Sequence, residues 1–172
     1  ITCSGGADGS IALNAIGGNQ PLSISWTGPN SFSSTLDPLF SLEAGTYTDS
    51  IIDNNGCLFI DAITLTEPSA ISASYIDTNI SCFGLNNGSI DLSIQGGTSP
   101  YFVTWQYPNG SISNLEDISN LTPGQYTLNI TDVNFCLMAS SIPVFITEPP
   151  EITYNTFSTN VSCYGQQDGA ID

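Results

Sequence analysis

Thiols, carboxyls and hydroxyls are the only side chains of this sequence equipped for chemistry. Its 172 residues include five Cys (Cys3, Cys57, Cys82, Cys136 and Cys163), 16 Asp plus Glu, and no Lys, Arg or His, giving a formal charge of -16. Without a cationic or imidazole side chain there is no Ser-His-Asp or Cys-His nucleophile, no Schiff-base lysine, no phosphate-cradling Walker lysine and no His-ligated zinc. The same absence excludes nucleic acid and anionic membrane surfaces as direct partners, because nothing neutralises phosphate. Glycoside hydrolysis needs only two carboxyls. Here, however, most carboxylates fall in turns or differ between the two repeated units of the chain, and a small repeated sandwich offers no deep cleft of its own. The chain reads as non-catalytic and without a cofactor.

Carboxylates in Asp-Gly and Asn-Gly turns are also the raw material of calcium sites. Asp8, Asp53 and Asp132 are the candidates, but none belongs to the dense Asp-x-Asp-x-Asp-Gly ladder of a self-sufficient calcium loop. Turn capping is the expected role, above all for Asp53 and Asp132, which precede Asn-Gly-Cys and Asn-Phe-Cys.

These groups are positioned by a repeat. Residues 1–57 align without a gap on residues 80–136, matching Cys3 with Cys82, Gly17-Gly18 with Gly96-Gly97, Trp26 with Trp105, Tyr47 with Tyr126, Asp53 with Asp132 and Cys57 with Cys136. Glu67-Pro68 matches Glu148-Pro149, and Cys163, Gly165, Asp168 and Gly169 restate the opening of the first unit. The expected domains are a first repeat at 1–68, a second at 69–149 and the start of a third at 150–172, so the sequence reads as part of a longer array. No CxxC pair suggests a metal, and the Cys sit at repeat-equivalent points, as in an oxidised extracellular framework. Pairing within units, Cys3 with Cys57 and Cys82 with Cys136, is the expected arrangement; Cys57 with Cys82 and Cys136 with Cys163 stays open as the alternative.

Within a unit, apolar residues alternate with polar ones. Leu22, Ile24 and Trp26, then Tyr101, Val103 and Trp105, share that spacing, the mark of strands with one buried face. Asn-Gly, Asp-Gly and Gly-Gly pairs punctuate the runs. About seven short strands per unit follow. Leu42-Glu43-Ala44-Gly45-Thr46-Tyr47 and Leu121-Thr122-Pro123-Gly124-Gln125-Tyr126 have the form of the tyrosine corner of immunoglobulin-like sandwiches. The fold class expected is all-β, with tandem immunoglobulin-like Greek-key sandwiches stacked end to end. Asp49 breaks the pattern, sharing a face with Tyr47 and Ile51; a sheet edge or a hydrogen bond is the expected remedy.

The signposts Cys-x-Gly-x-x-Asp-Gly-Ser-Ile, Gly-Gly-x-x-Pro, Trp, Leu-x-x-Gly-x-Tyr-Thr, Asp-x-Asn-x-Cys and Thr-Glu-Pro resemble the SprB repeat family. That resemblance implies tandem modules of very large cell-surface adhesins of gliding Bacteroidota, exported by the type IX secretion system. It implies an extracellular, cell-surface stalk or filament. The partners to expect are neighbouring repeats of the same chain, with polysaccharide or other surface proteins as the alternative, and no membrane insertion. Asp49-Ser50-Ile51 also resembles the O-glycosylation sequence of Bacteroidota, making Ser50 a candidate site.

Overall fold

Alternation of apolar and polar side chains decides where strands form and which way they face. In Tyr101–Gln106, Val103 and Trp105 are buried while Phe102 and Gln106 are exposed. A computed structural model describes residues 1–171 of the chain. Its strands are β1 (Gly9–Ile11), β2 (Ser23–Thr27), β3 (Ser33–Ser34), β4 (Leu39–Leu42), β5 (Gly45–Ile52), β6 (Leu58–Leu65), β7 (Ser72–Thr78) and β8 (Gly88–Gln95). They continue with β9 (Tyr101–Gln106), β10 (Ile112–Ser113), β11 (Ile118–Leu121), β12 (Gly124–Asp132), β13 (Ile142–Ile146), β14 (Ser158–Thr159) and β15 (Ala170–Ile171). A single 3-10 turn, Pro29–Ser31, is the only helical element among the described residues.

Strands β7 to β13 form one complete sandwich. One sheet runs β11-β8-β7 and the other β10-β9-β12-β13, all antiparallel. The chain therefore passes between sheets at β8–β9, β10–β11 and β11–β12, the Greek-key path of an immunoglobulin-like domain. The first unit repeats this order as β1-β4 and β3-β2-β5-β6. In the third, β14 pairs with β15 through Thr159↔Ala170, the repeat of Thr78↔Ser89 between β7 and β8. The fold is all-β and immunoglobulin-like, as the alternation and turn residues predict.

Each sandwich closes on the same aromatic pair. Trp105, Tyr126, Leu128, Ile130 and Val144 are fully buried in the second unit, and Trp26, Tyr47, Leu39 and Leu42 in the first. Burying side chains of this size contributes about 1.5–3 kcal/mol each. Both tyrosine corners form: Tyr126 donates to Thr122 O and Tyr47 to Glu43 O, each at 3.0 Å. Desolvation of Tyr47, reinforced by nearby Glu43, raises its pKa.

Asp49 departs from expectation. It lies neither at a sheet edge nor in a hydrogen bond, but in the inner strand β5, between Trp26 of β2 and Asp61 of β6. It is fully buried, and neither carboxyl oxygen has a partner. Register explains the burial, since Leu128 occupies the same place opposite Trp105. Trp26 Nε1 is also unpartnered, whereas Trp105 Nε1 donates to Glu116 O at 3.0 Å. Ser50, the glycosylation candidate, is half-buried in the middle of β5, its backbone flanked by Ser25 and Ile60.

Candidate functional site: the junction between units

Two loops at opposite ends of a sandwich carry the cysteines. The first is the hairpin turn between the last two strands, whose shape is imposed by one carboxylate. Asp132 Oδ1 accepts the backbone N–H of Asn134 and of Cys136, each at 2.9 Å, and Oδ2 accepts Thr98 N–H at 2.9 Å. Asp53 repeats the set, with Asn55 at 2.9 Å, Cys57 at 2.8 Å and Asn19 at 3.1 Å. One side chain thus satisfies three N–H groups that a tight turn leaves unpaired and ties it to the Gly-Gly loop.

Burial of Asp132 opposes its charge most strongly, yet the N–H groups of Cys136, Thr98 and Asn134 together outweigh it and hold the carboxyl below its ordinary pKa. Asp53 is lowered by the N–H groups of Asn19 and then Cys57. Both oxygens of each carboxylate are therefore engaged in capping. Among the described residues, no group of three or more Cys, Asp or Glu converges to hold a metal ion.

The second loop is the Cys-x-Gly turn at the start of each unit. Gly6 N–H donates to Cys3 O at 2.9 Å, Leu85 to Cys82 O at 3.2 Å and Gln166 to Cys163 O at 3.1 Å. Asp8 fixes the first of these turns by accepting Thr2 N–H and hydroxyl; the Thr2 hydroxyl is the main cause of its lowered pKa. Asn87 accepts Ser81 N–H at 3.2 Å and Asp168 accepts Ser162 N–H at 3.0 Å in the equivalent turns. A hydrogen bond with the Ser162 side chain is the first cause holding Asp168 below its usual value.

Glu of the Thr-Glu-Pro motif then clamps the turn to the unit's own last strand. Glu67 accepts Gly5 N–H at 2.6 Å and Glu148 accepts Gly84 N–H at 2.9 Å. The Cys-x-Gly turn is thereby fixed at the trailing end of its sandwich, where the chain leaves. The Asp-anchored turn, at the other end of the last strand, lies at the leading end.

Consecutive units meet through these loops. Cys3 of the first unit is disulfide-bonded to Cys136 of the second, with Cα atoms 5.5 Å apart across a sequence separation of 133. Cys3 packs against the second core, and Asn134 Nδ2 donates to Thr2 O at 3.4 Å. The linker threads beside it: Gly97 N–H donates to Ser69 O at 2.7 Å, and Ile71 enters the core. Gly96, at φ +76°, lies so close to the linker that an added Cβ would stand 2.1 Å from Ala70 O. A cleft of about 310 Å³ at this seam is lined by Cys3, Ala70, Ile71, Asp132 and Cys136 among others.

This bond corrects the expected connectivity. Neither Cys3–Cys57 with Cys82–Cys136, nor Cys57–Cys82 with Cys136–Cys163, is formed; Cys57, Cys82 and Cys163 are free and exposed. The reason is placement. Cys82 and Cys136 stand at opposite ends of one sandwich, separated by the length of β13, about 16 Å for five residues, whereas a disulfide requires Cα atoms within about 7 Å. Equal spacing within the two units reflects repetition and not proximity. The signal that sequence reasoning passed over is the position of each Cys relative to the last strand: Cys136 precedes it, while the Cys-x-Gly turn belongs with the Glu that follows it. Asp8, Asp53 and Asp132, weighed as calcium ligands, hold the backbone of these two loops through hydrogen bonds.

The sequence model of the SprB repeat matches residues 1–31 and 74–110. Among solved structures, the amphioxus IgVJ-C2 molecule is similar at a TM-score of 0.42 and 15% identity, covering 83% of this chain and 97% of that one. No curated protein matches the chain. The matched segments contain the Cys-x-Gly turn and the Gly-Gly loop of both units, the elements that build the two ends of the junction. Residues 1–31 and 74–110 of this chain are thus similar to the SprB repeat.

Proposed function

We propose that the chain is a non-catalytic, extracellular module of the stalk of a large cell-surface adhesin, of the kind found in gliding-motility proteins exported by type IX secretion. The observation that carries this reading is the junction: two consecutive sandwiches are joined twice, by the linker and by Cys3–Cys136. A double connection between opposite ends suits a part that transmits position and force along an array. Disulfides of this kind belong to oxidising compartments outside the cytoplasm. No helix among the described residues is long and apolar enough to cross a membrane.

Exposed aromatics favour the spacer over direct sugar binding. Phe102 is exposed on β9 and Phe145 on β13, but the counterpart of Phe102 is Ser23 and that of Phe145 is Thr64, so neither strand aromatic recurs from unit to unit. Small-angle scattering tests the stalk. Each sandwich spans roughly 35–40 Å with its loops, so two in series give a maximum dimension of about 70–80 Å plus the third segment. A compact side-by-side pair refutes it.

A further inference from the structure

The three free cysteines are not surplus; we propose that each is half of a further inter-unit disulfide, so that an array of these units is stapled by a continuous ladder. Each rung joins the Cys-x-Gly turn of one unit to the Asp-anchored turn of the next. Cys3–Cys136 is the rung whose two halves both lie in this chain. Cys82 and Cys163 occupy the Cys3 position of the second and third units, and Cys57 occupies the Cys136 position of the first.

Two observations carry the equivalence beyond sequence. The free cysteines sit in the same hydrogen-bonded frames as the bonded ones: Asp53 holds Cys57 as Asp132 holds Cys136, and Glu148 clamps the turn of Cys82 as Glu67 clamps that of Cys3. The end of the first sandwich that carries Cys57 is also open to the missing half. Where a preceding unit is present, its linker and Cys3 turn occupy part of the space between the Gly-Gly loop and the Asp-anchored turn, leaving the cleft of about 310 Å³, and Cys136 is 9% exposed. At the same place on the first unit an open cleft of about 390 Å³ is lined by Gly17, Gly18, Asp53, Cys57 and Leu58, and Cys57 is exposed. The occupant that fits is the trailing linker and Cys-x-Gly turn of another such unit.

The chemistry is thiol–disulfide exchange with a small disulfide oxidant. One cysteine thiolate attacks the oxidant to give a mixed disulfide and release one oxidant thiol. The facing thiolate then displaces the second, so two protein thiols lose two electrons and two protons while one oxidant disulfide becomes two thiols. The ladder changes what tension can do. Rungs of alternate units form two interleaved covalent paths. Along one of them the only extensible chain per two units is the segment from Cys136 to Cys163, about 95 Å when fully extended, against about 560 Å for two unbridged units. That is close to the length of the two folded sandwiches, so the array resists pulling even when its domains unfold. The inference does not rest on the stalk reading: scattering tests the one and bond mapping the other.

A head-to-tail fusion tests it. Asp172 is the repeat equivalent of Ala12, so residues 1–172 followed directly by residues 13–172 of a second copy continue the repeat in register. The fusion is refolded in oxidised and reduced glutathione and mapped by peptic digestion at acid pH. The expected bonds are Cys3–Cys136 within the first copy, Cys82 of the first to Cys57 of the second, and Cys163 of the first to Cys136 of the second. In the unfused chain, Cys3→Ser is expected to leave four titratable thiols, with Cys136 free. A Cys3–Cys57 or Cys82–Cys136 bond in any of these proteins overturns the ladder. So does recovery of thiols at Cys82 of the first copy and Cys57 of the second from a fusion with native strand content.

Discussion

Replacing Asp49 by Leu isolates one buried defect. Both carboxyl oxygens of Asp49 are buried without a partner, and the repeat counterpart Leu128 is 0% exposed in a filled core. An unsatisfied buried polar group costs about 1–3 kcal/mol. Leucine removes that cost and adds buried apolar area, offset in part by about 1 kcal/mol or more of overpacking where the site is shaped for a smaller side chain. A net gain of about 1–3 kcal/mol for the first unit follows, and for a domain of this size each kcal/mol moves the melting midpoint about 4–8 °C. Differential scanning calorimetry of the full chain at neutral pH, with Cys3–Cys136 intact, reads the change as an upward shift of the first unit's transition alone. Asp49→Asn is the control, because it keeps two unsatisfied polar atoms in the same buried space, so its gain is smaller. An Asp49→Leu protein that melts at or below the parent temperature with unchanged strand content refutes the reasoning.

Loss of the bridge by Cys3→Ser is expected to lower stability by up to about 5 kcal/mol in the chain-entropy treatment of a loop this long, read from urea unfolding; an unchanged midpoint contradicts it. Pulled from its ends in a single-molecule assay, the oxidised chain is expected to lengthen by about 465 Å less than the reduced one, because the 133-residue separation is locked; equal lengths refute this. Acid removes the turns in a definite direction. The pKa values of Asp8, Asp53, Asp132 and Asp168 are lowered in the folded state, so their stabilisation is present above the unfolded Asp value of about 3.9 and is lost as pH falls below it through the folded values. A melting temperature flat from pH 5 to pH 2 contradicts that sign. Gly96→Val places a branched side chain at positive φ against Ala70 O and is expected to unseat the linker at a cost of more than about 2 kcal/mol, seen as faster amide exchange at Gly97; native protection there refutes the close approach. Calcium and sodium chlorides at matched ionic strength are expected to raise the melting temperature alike, since the turn carboxylates are engaged in capping; a saturable calcium effect abolished by Asp53→Asn overturns this.

Much of this molecule is local and therefore legible in its sequence. Alternation around Trp26 and Trp105 marks the buried faces, because successive residues in a strand point to opposite sides of the sheet. The corners before Tyr47 and Tyr126, and the bonds of Asp53 and Asp132 within their own turns, follow from contacts spanning four residues or fewer, which the chain makes with itself wherever it goes. The repeat likewise identifies equivalent positions without coordinates. Distance between equivalent positions is another matter. Which cysteine meets Cys136 depends on which end of a sandwich each turn occupies and on how the next sandwich is set upon it; only tertiary structure brings Cys3 across 133 residues of separation. The same holds for Asp49. Its alternation placed it on the inner face, but that β5 is an inner strand, with no polar atom in reach of the carboxyl, is a property of the assembled sheets and not of any segment.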